Sequence, residues 1–332
     1  MLIDIFILAV GLIFILFSAE LFTNSVEYIG DKLNLSKNFT GSVLAAVGTA
    51  LPESILPIIA ILFFKDKSGE DIGLGAILGA PFMLSTLAFP LIGLTVVIGY
   101  LLKKRSLELK VEEMALRKDI VFFLFAYTIA LFSVHFHNIS LVKTLTAIIL
   151  VFIYILYIVI VLKNESAEME ETHNLFFSKL KIKESLPLAF FQFFTALIIM
   201  IVGAHIFVDG IEKLSKLVGL SPLIFSLLLA PIATELPEKI NSVIWVLREQ
   251  DTLAVGNVSG AMVFQSSIPV SIGLILTDWN LSTLALTSGF LAIISGFLVL
   301  AISYLDKKLI PFGFSVGILF YITYIGIILG VA

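Results

Sequence analysis

Apolar residues in this chain gather in long blocks separated by short polar intervals, with neither the strict alternation of a half-buried strand nor the narrow stripe of a surface helix. A helix needs about 20 mostly apolar residues to cross a hydrocarbon layer. Ten blocks meet that description: 2–28, 38–63, 72–102, 120–136, 139–162, 186–211, 222–247, 253–276, 281–304 and 309–331. Lipid offers no partner to a free backbone N–H or C=O, so such blocks are expected to be helices. The alternating segments of an outer-membrane barrel are absent. The pattern predicts an all-α polytopic membrane protein with ten transmembrane helices.

The blocks fall into two copies of one unit. Thr49-Ala50-Leu51-Pro52-Glu53 recurs 185 positions later as Thr234-Glu235-Leu236-Pro237-Glu238. Without a gap, 18–53 lies over 203–238, keeping Ala19/Ala204, Phe22/Phe207, Glu27/Glu212, Leu35/Leu220 and Ser36/Ser221. A second stretch, from Ile72 to Gly79, lies over Leu253 to Gly260 after a linker four residues shorter. The expected organisation is a first five-helix repeat at 1–163, a cytoplasmic linker at 164–185 and a second five-helix repeat at 186–332. An odd number of crossings per half makes the copies inverted, and inverted repeats place a shared site near the bilayer midplane.

Composition and charge sharpen this picture. Of 332 residues, 59% are hydrophobic and 14% charged, outside the range of soluble domains. Loops on the N-terminal side carry 5 Lys and Arg, those on the other side 15, and Lys239 alone lies in a span. The positive-inside tendency therefore predicts both termini outside the cell. The first block lacks a basic start and is long enough to span, so it is expected to be retained rather than cleaved as a signal. The net charge of −4 is scattered over loops of both signs and forms no nucleic-acid stripe, which leaves lipid and metal cations as the expected partners. Cysteine is absent, excluding disulfides and thiolate metal sites. The acidic run 165–171 lacks the Asp/Asn and Gly spacing of a calcium loop and reads as a solvated linker, a weak regulatory cation site being the alternative. His135 and His137 fall at an outer loop, where an interfacial position is favoured over a metal pair. No Ser/His or zinc constellation suggests an enzyme, and no cofactor is implied.

The chemistry lies inside the blocks. Thr49 and Glu53 are four residues apart, as are Thr234 and Glu238, so each helix presents a hydroxyl and a carboxylate on one face. Pro52 and Pro237 each remove an amide donor, which is expected to disrupt the helix and free the carbonyls of Gly48 and Ala233. Carboxylates and freed carbonyls suit a hard cation. Glycine-rich stretches, Gly75 to Gly79 and Gly256 to Gly260, are expected to bring backbone close to the two Glu helices. Asn257, Gln265, Ser266 and Ser267 in the second copy, and Ser85 and Thr86 in the first, are then available to a cavity or to bonds between helices.

These blocks resemble the alpha repeats of the cation/calcium exchanger superfamily, nearest to prokaryotic sodium/calcium exchangers. Gly48-Thr49-Ala50-Leu51-Pro52-Glu53 and Ala233-Thr234-Glu235-Leu236-Pro237-Glu238 stand for its Gly-Thr-Ser-Leu-Pro-Glu signature. The resemblance implies exchange of calcium against sodium by alternating access, with Glu53 and Glu238 as central ligands and Thr49 and Thr234 supplying oxygens. The chain departs from the pattern at Ala50 and Glu235, where the signature has serine, and at Ala80 and Ala261 in the glycine stretches. Leu84 and Gln265 stand where the family often has Asn or Asp.

Glu235 and Lys239 are also four apart, in the favourable order. Either they pair, Lys239 standing in for one bound monovalent cation, or Lys239 reaches toward the headgroups. Three glutamates less one lysine still leave two negative charges for a divalent ion. The function expected is antiport of a divalent cation, calcium first, against Na+ or H+, with metal-site residues Glu53, Glu238, Thr49, Thr234, Glu235 and Gln265. The competing reading is a non-transporting sensor or scaffold on the same fold.

Overall fold

The computed structural model describes residues 2–33, 45–64, 67–164, 174–180, 183–305 and 310–330. The described residues contain helices and no strand. The α-helices run α1 Leu2–Lys32, α2 Ala45–Phe63, α3 Lys67–Met83, α4 Phe89–Leu101, α5 Glu113–Phe132, α6 Ser140–Asn164, α7 Leu186–Val218, α8 Pro222–Leu247, α9 Asp251–Gln265, α10 Ile268–Leu276, α11 Thr283–Ile302, α12 Ile310–Val316 and α13 Ile318–Ile328. Eight helical stretches among the described residues are long and apolar enough to cross a membrane, with α3–α4, α9–α10 and α12–α13 each counted once. The remaining two blocks are helical as α2 and α8, with shorter apolar stretches at Pro52–Phe63 and Pro222–Glu235. The acidic run 165–171 lies outside the described residues.

By internal contacts the chain forms two compact units, each drawn from both sequence halves: 1–73 with 155–222, and 74–154 with 223–332. In the first unit α1 and α7 run antiparallel in close contact, Leu8 lying against Gly210 and Phe14 against Gly203. A Cβ on Gly11 would fall 2.6 Å from the backbone nitrogen of Phe207, so only glycine permits this approach. Leu21, Phe22, Val26, Ala196 and Met200 continue the contact, and Ile55 of α2 packs on them. A buried amide cluster closes one end. Gln192 donates to the Leu21 carbonyl at 3.0 Å and to Asn24 Oδ1 at 2.9 Å, and its own carbonyl oxygen accepts from the Phe177 N–H at 3.0 Å. Asn24 Oδ1 also accepts from the Phe176 N–H. The segment Asn174–Leu180 is therefore docked, with Leu175 fully buried. Two buried side-chain amides satisfy its backbone there in place of water.

In the second unit α5 and α11 are also antiparallel, with Leu131 on Gly289 and Phe123 on Gly296. The helix begun by α3 passes through a π-helical turn at Leu84–Ala88 before α4, and the helix begun by α9 is interrupted between Gln265 and Ile268. By the offset of the second repeated stretch, Leu84, Ser85 and Thr86 correspond to Gln265, Ser266 and Ser267. Both copies are thus irregular at one position. The buried Ser85 carbonyl of the π turn accepts from Ser295 Oγ at 2.8 Å, a tertiary bond to backbone at the irregular turn.

Candidate functional site

Helix α2 passes through Pro52 and Pro57 without a break. Proline here removes amide donors but does not end the helix, which corrects the expected disruption at Pro52. Glu53 sits one residue beyond and is buried, with 7% of its surface exposed. Thr49 lies on the same helix, and its side chain is outside the described residues, as is that of Glu238 on α8. Glu53 and Thr49 belong to the first unit; Thr234, Glu235, Glu238 and Gln265 belong to the second.

The second unit shows more of its site. Thr234 is buried and donates its hydroxyl to the Ala230 carbonyl at 3.1 Å, which leaves the oxygen lone pairs free to face a cation. Glu235 is fully buried, and Lys239 Nζ lies 2.9 Å from its Oε2, one helical turn on. Only 7% of the Lys239 side chain is exposed. Pairing therefore decides the two readings of Lys239, and the headgroup-directed one is overturned. Gln265, at the end of α9, is buried, and its side-chain carbonyl oxygen has no hydrogen-bond partner among the described residues. An acceptor left so in apolar surroundings is costly, and a cation or a water would satisfy it.

The glycine stretch of the first copy makes a close contact. A Cβ on Gly75 would lie 2.3 Å from the Leu223 carbonyl, and one on Gly79 2.2 Å from that of Leu227. Helix α3 thus rests directly on α8, the helix that carries Thr234 and Glu235, as its spacing predicts. Among the described residues nothing lies within 4 Å of a Cβ built on Gly256. The hydroxyls in the irregular turns are turned mostly to local carbonyls. Ser85 bonds to Pro81, Thr86 to Phe82, and Ser266 and Ser267 both to Val263, at 2.9, 2.5, 3.1 and 2.7 Å. His135 and His137 likewise face the carbonyls of Phe132 and Val134, three residues back. Among the described residues no three His, Cys, Asp or Glu side chains converge as a metal cluster.

Two buried carboxylates escaped sequence reasoning. Asp119 on α5 accepts from Ser259 Oγ at 2.6 Å, which places a repeat-motif serine on an acid. Asp251, at the start of α9, receives both terminal nitrogens of Arg105 at 2.7 and 2.9 Å, with both side chains fully buried. Arg105 lies in the segment 103–112 between α4 and α5, where Lys, Arg and Glu are mixed, so no periodic signal marks it.

Residues 3–163 and 188–331 match the sequence profile of the family described as sodium/calcium exchanger protein. The chain is 25% identical over 283 residues to inner membrane protein YrbG of Escherichia coli, covering 84% of this chain and 82% of that one. It is 24% identical over 263 residues to the uncharacterised membrane protein MJ0091 of Methanocaldococcus jannaschii, covering 79% and 78%. Its fold matches the crystal structure of an H+/Ca2+ exchanger, CAX, with TM-score 0.72 at 18% identity, over 97% of this chain and 82% of that one. It also matches the sodium-calcium exchanger NCX_Mj with TM-score 0.56 at 20% identity, over 98% of both chains.

Proposed function

The chain belongs to the sodium/calcium exchanger protein family, and from that premise we propose that it is a secondary antiporter exchanging a divalent cation, calcium in the first place, for Na+ or H+. Ten membrane helices in two inverted five-helix repeats alternate access to the ion, and both termini lie outside. The antiparallel pairing of α1 with α7, the first helices of the two sequence halves, supports the inversion. So does that of α5 with α11. Glu53 and Glu238 are the central ligands, Thr49 and Thr234 add oxygens, and the open acceptor of Gln265 contributes a further one. Glu235 enters the charge balance through Lys239: their mutual neutralisation leaves Glu53 and Glu238 to oppose two positive charges. Oxygen-only ligation favours calcium, magnesium or manganese over zinc or copper.

The observation that carries the reading is Glu53, a carboxylate kept buried in an apolar helix at the position that the repeat matches with Glu238. A membrane carboxylate is expensive unless it meets a cation, a proton or a polar partner. Exchange follows when two ion types compete for these carboxylates and each occupied state carries the moving helices across. Purified protein in liposomes, loaded under separately imposed sodium and pH gradients, should take up radioactive calcium under at least one of them. Glu53→Gln and Glu238→Gln should each abolish that uptake. Normal uptake in both variants would overturn the ligand assignment, and absence of divalent binding by calorimetry at neutral and higher pH would favour a non-transporting scaffold.

A further inference from the structure

We infer that Lys239 is a tethered monovalent cation, its ammonium holding on Glu235 the place that a sodium ion would otherwise occupy. This deepens the antiport reading and rests on it for its transport consequence alone. The geometry is that of a close, buried ion pair. Nζ lies 2.9 Å from Oε2, Glu235 has none of its side chain exposed, and Lys239 has 7%. Both belong to α8 and to one compact unit, so the pairing is fixed within a single helix.

The two sequence copies supply the comparison. At the positions matched to Glu235 and Lys239 the first copy has Ala50 and Ser54. A helix at this place forms with neither charge, since α2 is helical across 50 and 54. The acid and the base therefore appear together in one copy only, four residues apart. A buried ion pair adds little net stability over an uncharged alternative, because desolvation offsets the attraction. What the pair does change is the count of ions that can leave. Sodium bound to a carboxylate dissociates and can be replaced; an ammonium on a four-carbon stem stays with the helix through every state. One monovalent site is thus permanently filled, and Lys239 is a specificity-determining residue that withdraws it from exchange.

Substitution by the first-copy residues tests this. In nanodiscs, free of divalent ions and without any gradient, unfolding midpoints are compared in sodium chloride and in choline chloride. Any sodium response that Glu53 and Glu238 give the parent protein should be unchanged by Glu235→Ala. Lys239→Ser, which strips the ammonium from Glu235, should gain a saturable sodium-dependent rise on the order of 5 °C at about a hundred times the half-saturating concentration, and methylammonium should reproduce it. The double variant Glu235→Ala/Lys239→Ser should lose the rise. A Lys239→Ser protein that folds only in sodium gives the same answer in stronger form. A variant that is folded and indifferent to sodium, or that neither cation rescues, overturns the inference, as does a parent protein already showing a Glu235-dependent sodium response. Because no flux is measured, a failed calcium-uptake experiment would defeat the antiport reading and leave this result standing.

Discussion

Removing the Arg105 guanidinium should be among the most damaging single changes outside the helices proposed to bind ions. Arg105 makes two charge-assisted bonds to Asp251, at 2.7 and 2.9 Å, and also donates to the carbonyls of Val246, Glu108 and Ser106, at 2.5, 3.1 and 3.0 Å. Among the described residues, the Lys110 N–H at 2.9 Å is the donor that Asp251 keeps when Arg105 is lost. Breaking one side of a buried pair costs about 3–5 kcal/mol, because the surviving charge remains in the interior. For a chain of this size that corresponds to a midpoint lowered by roughly 4–7 °C. Intrinsic fluorescence of the Arg105→Ala protein during a thermal ramp in detergent reads it, since Trp245 adjoins Val246. Replacing both members with apolar residues, Arg105→Met/Asp251→Leu, should recover most of the loss, for the desolvated charge then disappears with its partner. An Arg105→Ala protein within about 1 kcal/mol of the parent would refute the reasoning, showing that Asp251 is reached by water or other donors once the guanidinium is gone.

Three further outcomes are expected. Ser259→Ala should lower stability by about 1–3 kcal/mol in the same assay, since it removes a 2.6 Å donor from buried Asp119, whereas Ser259→Thr should retain most of it. Glu249 accepts from the Ser106 N–H and from Lys110, and these hold its carboxyl down at about 2 from an ordinary 4.5; its contribution is therefore present above about pH 4.5 and lost as pH falls toward 2, and Glu249→Gln should flatten stability across that window in acid titrations followed by circular dichroism. Because the chain has no cysteine, single cysteines report topology cleanly: Asn138→Cys should react with an impermeant maleimide added to whole cells and Lys104→Cys only after the membrane is opened, and the reverse pattern would invert the proposed orientation.

How much of this was legible without coordinates depends on the length scale of the signal. Membrane helices announce themselves through stretches of about 20 apolar residues, so the all-helical, multi-pass character needed no tertiary information. The Glu235–Lys239 pair could be anticipated because i and i+4 on one helix are neighbours by geometry. The contact of Gly75 and Gly79 with α8 followed from the small size of glycine, which permits a close approach without compelling one.

By itself the sequence determined the solvent this protein lives in, its duplication, and which carboxylates are carried on apolar helices, all properties fixed by neighbours a few residues apart or by self-similarity. The tertiary structure alone decided that Arg105 locks onto Asp251, 146 positions away, that Ser259 serves Asp119 across 140, and that Asn24 and Gln192 capture the segment after residue 173. Such contacts join single polar residues from distant parts of the chain, where no period exists to read. They are fixed only when packing removes water and leaves each buried donor and acceptor to find its partner.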